Sequence, residues 1–308
     1  MSTVEVIPRY RDVLRLPHAA LTFSAALLGR LSFAMVSLAL LLTVQRNTGS
    51  FAAAGVATGV FGLGNVVVSP ARARWVDRRG HRATLPRLVT GYSSLLVALA
   101  VLALIAAVPA WLLIVLAGAA GLCPPPLGAV MRGMWAQLVV DPRGLARAYS
   151  LDSVAEELLF VTGPVLVGVA AALAHPAVAL MAAAAVAFVG TFAMARGPVS
   201  VGVRPVRQTV EGASDRPLRQ RGFRPLLLVL FGVGVILGAV EIVVPAFAQD
   251  HGQAGVAGLL LALLSVGSAA GGLAYGRRDW GSPLAVRLLL LTGGLILVTA
   301  VLAAAGGA

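Results

Sequence analysis

The sequence contains no lysine, and all 24 of its basic residues are arginine. A phosphate-binding loop that ends in Gly-Lys-Ser/Thr and a Schiff base to pyridoxal phosphate or retinal both need a lysine amine. The absence of lysine therefore excludes an ATP-driven pump subunit of that type, a pyridoxal enzyme and a light-driven pump. We expect no bound nucleotide and no cofactor.

Charged residues and cysteines are also scarce. Only 12% of the 308 residues are charged, against about 25% in a typical soluble domain, while 59% are hydrophobic. This balance argues against a soluble globular protein and against disorder. The single cysteine, Cys123, allows neither an internal disulfide nor a cysteine metal site. The four histidines are scattered along the chain, so we expect no metal.

Long apolar runs separated by short polar loops take up most of the chain. About 20 consecutive apolar residues suffice for one helical membrane span. The runs predict an all-α polytopic membrane protein with nine spans, at roughly 19–44, 51–71, 85–107, 110–132, 150–173, 176–195, 225–247, 254–275 and 284–306.

The arginines predict the orientation of these spans. If the N-terminus is cytoplasmic, 22 of the 24 arginines lie in cytoplasmic segments, only Arg46 lies outside, and Arg30 lies within the first span. Such a bias is the positive-inside pattern of the cytoplasmic membrane. This bias accounts for the net charge of +12, so we expect no nucleic acid as a partner. Membrane lipids are an expected partner.

A long basic segment divides the spans into two groups. Residues 196–224 are rich in Arg, Pro and Gly, and they predict a cytoplasmic linker between a six-span bundle at 1–195 and a three-span bundle at 225–308. The tetrapeptide Ala-Gly-Val-Ala at 54–57 recurs at 254–257, which maps the second span onto the eighth. Parallel repeats of six-span halves characterise one large class of transporters.

The connection after the second span carries a recognisable motif. The run from Asp77 to Arg82 reads Asp-Arg-Arg-Gly-His-Arg. It resembles the loop signature of the major facilitator superfamily, Gly-x-x-x-Asp-Arg-x-Gly-Arg-Arg, at Asp77, Arg78, Gly80 and Arg82. The resemblance implies a six-helix N-terminal bundle of that type, three helices of a second bundle and a gating role for these four residues. An ordinary positive-inside loop is the alternative.

The fifth span carries a second motif, Gly163-Pro164-Val-Leu-Val-Gly168. It is similar to the Gly-Pro-x-x-x-Gly core found in the fifth span of antiporters of that family, which implies export. Proline removes a backbone donor and bends a helix, and glycines allow a neighbouring helix to approach closely. A packing kink that has no influence on direction is the alternative.

The fourth span contains three successive prolines, Pro124 to Pro126. A regular helix cannot accommodate them, and unmade backbone hydrogen bonds at membrane depth are tolerated only beside protein or water. We therefore expect a broken span that faces the bundle interior or a cavity, or else a kink at the outer interface.

Ionisable residues inside a bilayer are costly, and each is a functional hypothesis. Arg30 lies near the middle of the first span, and Glu156 and Glu157 lie in the fifth. We expect Arg30 to pair with one of these two acids, either within a substrate cavity or as a static ion pair. Glu241, in the seventh span, is a candidate proton or cation site. Arg132, at the end of the fourth span, is expected to anchor that span at the inner interface.

The sequence thus predicts a secondary transporter rather than an enzyme. It is expected to move a small solute by alternating access, most readily as proton-coupled export. A non-transporting scaffold of the same fold is the alternative. Because the last three helices have the layout of half a bundle, the chain is also expected to be a C-terminally truncated form of a longer transporter. Short natural relatives that assemble as oligomers are the alternative.

Overall fold

A computed structural model describes residues 10–105, 108–139, 141–197, 223–250, 256–278 and 280–306. Within these ranges the regular structure is entirely α-helical. The side chains at 241–242, 244–250, 256–259, 261–262 and 302–306 lie outside the description.

The described ranges contain eleven helices. They are α1 Tyr10–Leu14, α2 Ala19–Thr48, α3 Phe51–Arg79, α4 His81–Ile105, α5 Ala110–Leu122, α6 Leu127–Leu138, α7 Pro142–Leu173, α8 Pro176–Arg196, α9 Phe223–Asp250, α10 Val256–Arg277 and α11 Leu284–Gly306.

The predicted spans can be compared with these helices one by one. Eight stretches in the described ranges are long and apolar enough to cross a membrane, and the fourth of them runs through both α5 and α6. Eight of the nine predicted spans coincide with these stretches. The other, at 254–275, coincides with α10, which is not among the eight. The prediction of an all-α polytopic membrane protein is confirmed.

The helices fall into two compact units. The first unit contains α1 to α8 and the segment Ser268–Arg277 of α10. The second contains α9, the preceding part of α10, and α11, with α9 in contact with α11. The predicted linker at 196–224 lies mostly outside the described residues, so the division into bundles at 1–195 and 225–308 stays a prediction.

Helix α2 lies at the centre of the first unit, where it packs against α8, α7 and α3. Small residues make this possible. A Cβ atom added to Gly190 of α8 would overlap the backbone of α2 at Gly29 and come within 2.7 Å of the Ala25 carbonyl oxygen. Close approach through small residues is the usual way in which membrane helices associate, because burial in lipid gives no hydrophobic driving force.

The outward faces of the first unit are apolar. Large side chains such as Leu63, Val66 and Leu173 are exposed, whereas most of the buried aliphatic side chains face neighbouring helices. In water such a surface would be an aggregation hazard, but it suits contact with acyl chains.

Candidate functional site

A network of four charged side chains lies inside the first unit. Arg30 of α2 donates a 2.6 Å hydrogen bond from Nη1 to Asp152 Oδ1, and its Nη2 lies 2.7 Å from Glu156 Oε2. Arg132 of α6 makes ion pairs with the same two acids, at 3.4 Å to Asp152 and 3.1 Å to Glu156. Each arginine therefore contacts both acids, and the network as a whole is neutral.

The four side chains of this network differ in how much of their surface is exposed. Arg30 is 5% exposed and Asp152 is fully buried, whereas Glu156 is 34% and Arg132 47% exposed. One half of the network is therefore sealed within the bundle and the other half is open. An ionic group at membrane depth is tolerated when it pairs with its opposite or faces a cavity, and here both conditions hold.

Helix geometry brings the two acids together. Asp152 and Glu156 are four residues apart on α7, so they lie on the same face. The sequence places Arg30 in the middle of α2, which packs directly against α7. The expected pairing of Arg30 with Glu156 is present. Glu157 makes no ion pair with either arginine among the described residues; it points away from Glu156 on the helix, and its Oε1 accepts a 3.0 Å hydrogen bond from Ser268 Oγ.

Two members of the network were not expected in it. Asp152 is the closest partner of Arg30. Its position four residues before Glu156 places it on the same face of the helix, and this spacing is the feature of the sequence that points to its role. Arg132 was expected to be an anchor at the inner interface. It completes the network from α6, the helix that begins after the proline break, and its anchoring role stays a prediction.

A cavity of about 250 Å³ adjoins the network. Arg30 and Glu156 are part of its wall, and Arg72 and Asn65 of α3 line it as well. Apolar side chains and the proline run supply the rest of the wall, with Phe33, Leu159, Phe160 and Pro124–Pro126 among the lining residues. A concave, mostly apolar cavity with a few polar groups is the usual form of a small-molecule site.

The proline run interrupts the fourth span as expected. Helix α5 ends at Leu122 and α6 begins at Leu127, so the last carbonyl groups of α5 have no partner within their own helix. Arg72 supplies that partner: its Nη1 donates to the carbonyl oxygens of Gly121 and Leu122, at 3.2 and 3.1 Å. The prediction of a broken span that faces a cavity is confirmed.

The predicted second span ends at residue 71 and so places Arg72 in the loop that follows, and this prediction is wrong. Helix α3 continues to Arg79, and Arg72 is 5% exposed within it. Its Nη2 donates to the backbone and side-chain oxygens of Asn65, at 2.8 and 2.6 Å. The charge of Arg72, two turns before the end of α3, suggests a loop, because the sequence does not show that its side chain turns into the bundle.

The glycines of the α7 motif differ in their surroundings. A Cβ atom on Gly163 would lie 2.6 Å from Ala34 Cβ and 2.8 Å from the Ala34 carbonyl oxygen, so this glycine allows the close approach of α2 that we expected. Gly168 is exposed, and a Cβ atom there meets nothing within 4 Å among the described residues. Close packing at Gly168 therefore stays a prediction, since no described residue provides it. Pro164 is exposed, and α7 runs through it as one helix.

The motif from Asp77 to Arg82 forms a helix junction rather than a loop. Asp77 and Arg78 are exposed on the last turn of α3, and Arg82 is exposed on the first turn of α4. Gly80 joins the helices at a φ of 80°, where a side chain would be strained, as its expected role in a turn requires. In the described part of the chain, no arginine forms an ion pair with Asp77 within 4 Å.

The structure provides few contacts for two further candidates, Glu241 and a metal site. Glu241 lies on α9, but its side chain is outside the described residues. Among the residues that the structure describes, no group of three or more His, Cys, Asp or Glu side chains could hold a metal ion.

Comparisons with known proteins identify the family. Neither the curated proteins nor the solved structures include a match to this chain. The family description that matches is the Major Facilitator Superfamily, over residues 22–308. This match covers all the helices from α3 onward and most of α2, and it agrees with the membrane-spanning helices described above. The chain is a multi-pass membrane protein that belongs to the major facilitator superfamily of transporters.

Proposed function

We propose that this transporter moves a small solute by alternating access and couples that movement to protons through the charge network at Glu156. The single observation that carries the proposal is the position of Glu156. It lines the 250 Å³ cavity and at the same time contacts both arginines of the network. A change in the charge of Glu156 therefore alters the electrostatic potential in the cavity, and it also alters the ion pairs that join α7 to α2 and α6.

Protonation of Glu156 would have a defined effect. The neutral network would become positive by one unit, and the ion pairs from Arg30 and Arg132 to Glu156 would lose their Coulomb attraction. Arg30 would keep its buried bond to Asp152, whereas Arg132 would keep only the longer, 3.4 Å contact. The exposed half of the network is thus the half that a proton can loosen, which supports Glu156 as the coupling site.

Several other residues complete the proposal. Asp77, Arg78, Gly80 and Arg82 are proposed to gate the cycle at the end of α3, and Glu241 is proposed as a second proton or cation site. The N-terminus is proposed to face the cytoplasm, with the protein in the cytoplasmic membrane. Export is proposed on the resemblance at Gly163, Pro164 and Gly168.

The test compares two neighbouring acids in proteoliposomes. The purified chain is reconstituted with the pH dye pyranine inside, and a panel of small anionic, neutral and cationic solutes is added with and without a pH gradient. We expect solute-dependent proton movement in the wild type. We expect Glu156→Gln to abolish that movement, whereas Glu157→Gln, which removes an equal charge outside the network, retains most of it.

Three results would contradict the proposal. If no solute moves with or without a gradient, the chain is the non-transporting scaffold. If solute moves but protons do not, or if both variants behave alike, Glu156 is not the coupling site. Direction is read from inside-out membrane vesicles, in which an exporter accumulates solute when the interior is acidified and an importer does not.

A further inference from the structure

The cavity holds one positive charge that no acid in the described part of the chain balances. Two members of the charge network, Arg30 and Glu156, line the cavity, and their opposite charges cancel in its wall. Arg72 also lines the cavity, and no described carboxylate lies within 4 Å of it. The described wall therefore carries a net charge of +1.

The hydrogen bonds of Arg72 hold it in place without neutralising it. Its two terminal nitrogens donate to four oxygens, which belong to the carbonyl groups of Gly121, Leu122 and Asn65 and to the Asn65 side-chain amide. All four acceptors are neutral. The Nε atom is buried and has no hydrogen-bond partner, so one donor of the guanidinium group remains unused. A buried cation in this condition favours a bound anion strongly.

The rest of the wall limits what that anion can be. Asn65 and Ser69 provide polar side chains on the same helix as Arg72, while Phe33, Leu159 and Phe160 provide apolar surface. A volume of about 250 Å³ lies just below the range of about 300–1,000 Å³ that is usual for ligand sites, so only a small ligand fits. The chemistry suits a small organic anion with one charged and one apolar end.

We propose that this cavity binds a small monoanion, such as a carboxylate with an aromatic or aliphatic body, and that Arg72 supplies the charge that selects it. The proposal deepens the proposed function, because it names the substrate class of the same site. Arg72 is then both the cap of the broken α5 and the group that recognises the substrate. This dual use explains why an arginine rather than a neutral donor closes the break.

The proposal is tested with three ligands that share a shape and differ in charge. The full chain is purified in detergent, and its melting temperature is measured in titrations of benzoate, benzamide and benzamidine. Because the charge is uncompensated, benzoate is expected to bind the wild type roughly tenfold or more tightly than neutral benzamide, with cationic benzamidine weakest. This comparison does not depend on the folding of any variant. Equal binding of the three ligands, no binding of benzoate, or a preference for benzamidine would overturn the proposal.

A near-isosteric variant locates the effect. Asn65→Asp keeps an acceptor oxygen at 2.6 Å from Arg72 Nη2 and adds the missing negative charge. The exposed Gln137→Glu, on α6 outside the cavity, adds the same charge elsewhere. We expect Asn65→Asp to weaken benzoate roughly tenfold or more, and Gln137→Glu to leave it within about twofold of the wild type. Equal loss in both variants would show that general surface charge, and not the cavity, attracts the anion.

The binding assay needs neither a membrane nor a proton gradient, so it separates this inference from the proposed function. Selective benzoate binding in a protein that transports nothing would support the anion site and contradict the transport cycle. Proton-coupled flux of neutral or cationic solutes, without selective benzoate binding, would support the transport cycle and contradict the anion site.

Discussion

A single added methyl group should distinguish the two glycines of the α7 motif. The motif contains Gly163 and Gly168 in the same helix, five residues apart. A Cβ atom at position 163 would lie 2.6 Å from the Cβ atom, 2.7 Å from the carbonyl carbon and 2.8 Å from the carbonyl oxygen of Ala34. At position 168 the same atom would meet nothing within 4 Å among the described residues.

The size of the effect follows from these distances. Non-bonded carbon atoms prefer separations of about 3.5–4.0 Å, so α2 and α7 must move apart by about 1 Å to accept Gly163→Ala. Overpacking of this kind typically costs about 1–3 kcal/mol. Alanine also favours a helix over glycine by up to about 1 kcal/mol. Because both variants share that gain, the difference between them is the packing cost alone.

The displacement should also reach the charge network. Arg30 precedes Ala34 by one helical turn on α2, and Glu156 precedes Gly163 by two turns on α7, so both pairs lie on the facing sides. A separation of about 1 Å would stretch the 2.7 Å ion pair between Arg30 and Glu156 beyond hydrogen-bond distance. Gly163→Ala should therefore lose proton-coupled flux as well as stability.

The assay is thermal unfolding of the purified chain in one detergent, followed by flux in proteoliposomes. We expect Gly163→Ala to melt roughly 3 °C or more below Gly168→Ala, and Gly168→Ala to match or exceed the wild type. Two variants with the same melting temperature would refute the close approach of α2 and α7 at Ala34. A lower melting temperature with full flux would refute the link from this contact to the charge network.

Three further predictions concern single side chains. Asp152→Asn removes the negative charge of the fully buried partner of Arg30, which leaves that arginine's charge less compensated, so it should lower stability by about 3 kcal/mol; an unchanged melting temperature would contradict this. Asp77→Asn, on the exposed last turn of α3, should reduce flux with little loss of membrane insertion, as measured by transport per inserted molecule; wild-type flux would remove Asp77 from the mechanism. His175 lies between two spans, where burial and the nearby Arg46 hold its pKa below its usual 6.5 and its neutral Nδ1 accepts from the Ala177 N–H. Its contribution to stability should therefore be complete above pH about 6.5 and be lost as the pH falls through its lowered pKa, and a His175→Gln variant should lack this step in a pH series of melting temperatures.

The positions of the membrane helices could be predicted from sequence because the bilayer imposes one length on every span. The proline break was predictable for a similar reason, since a run of prolines removes backbone donors wherever it stands. The side chains of Arg72 and Arg132 were not predictable. Their positions in the sequence indicate how deep they lie in the membrane, but the rotation of each helix about its axis decides which neighbours they contact.

The α7 motif shows the same limit. Both glycines match the pattern equally well, yet only Gly163 faces another helix in the described part of the chain. A spacing of five residues turns a helix by about 500°, so the two positions cannot share a face. The spacing therefore predicts that at most one of the two glycines faces a given neighbouring helix. The sequence does not show which of the two glycines points toward the neighbouring helix.

The arrangement of charge around the cavity argues for a functional rather than a stabilising role. Buried ion pairs seldom stabilise a protein more than well-packed apolar residues would, because desolvation offsets the attraction. In a bilayer the cost is greater, and an alanine- and leucine-rich chain has an inexpensive alternative at every such position. This chain nevertheless places Arg30 and Asp152 in the interior and Arg72 beside them without an acid of its own. Because well-packed apolar residues could replace a buried ion pair without loss of stability, the reason for these charges is best sought in what the cavity binds.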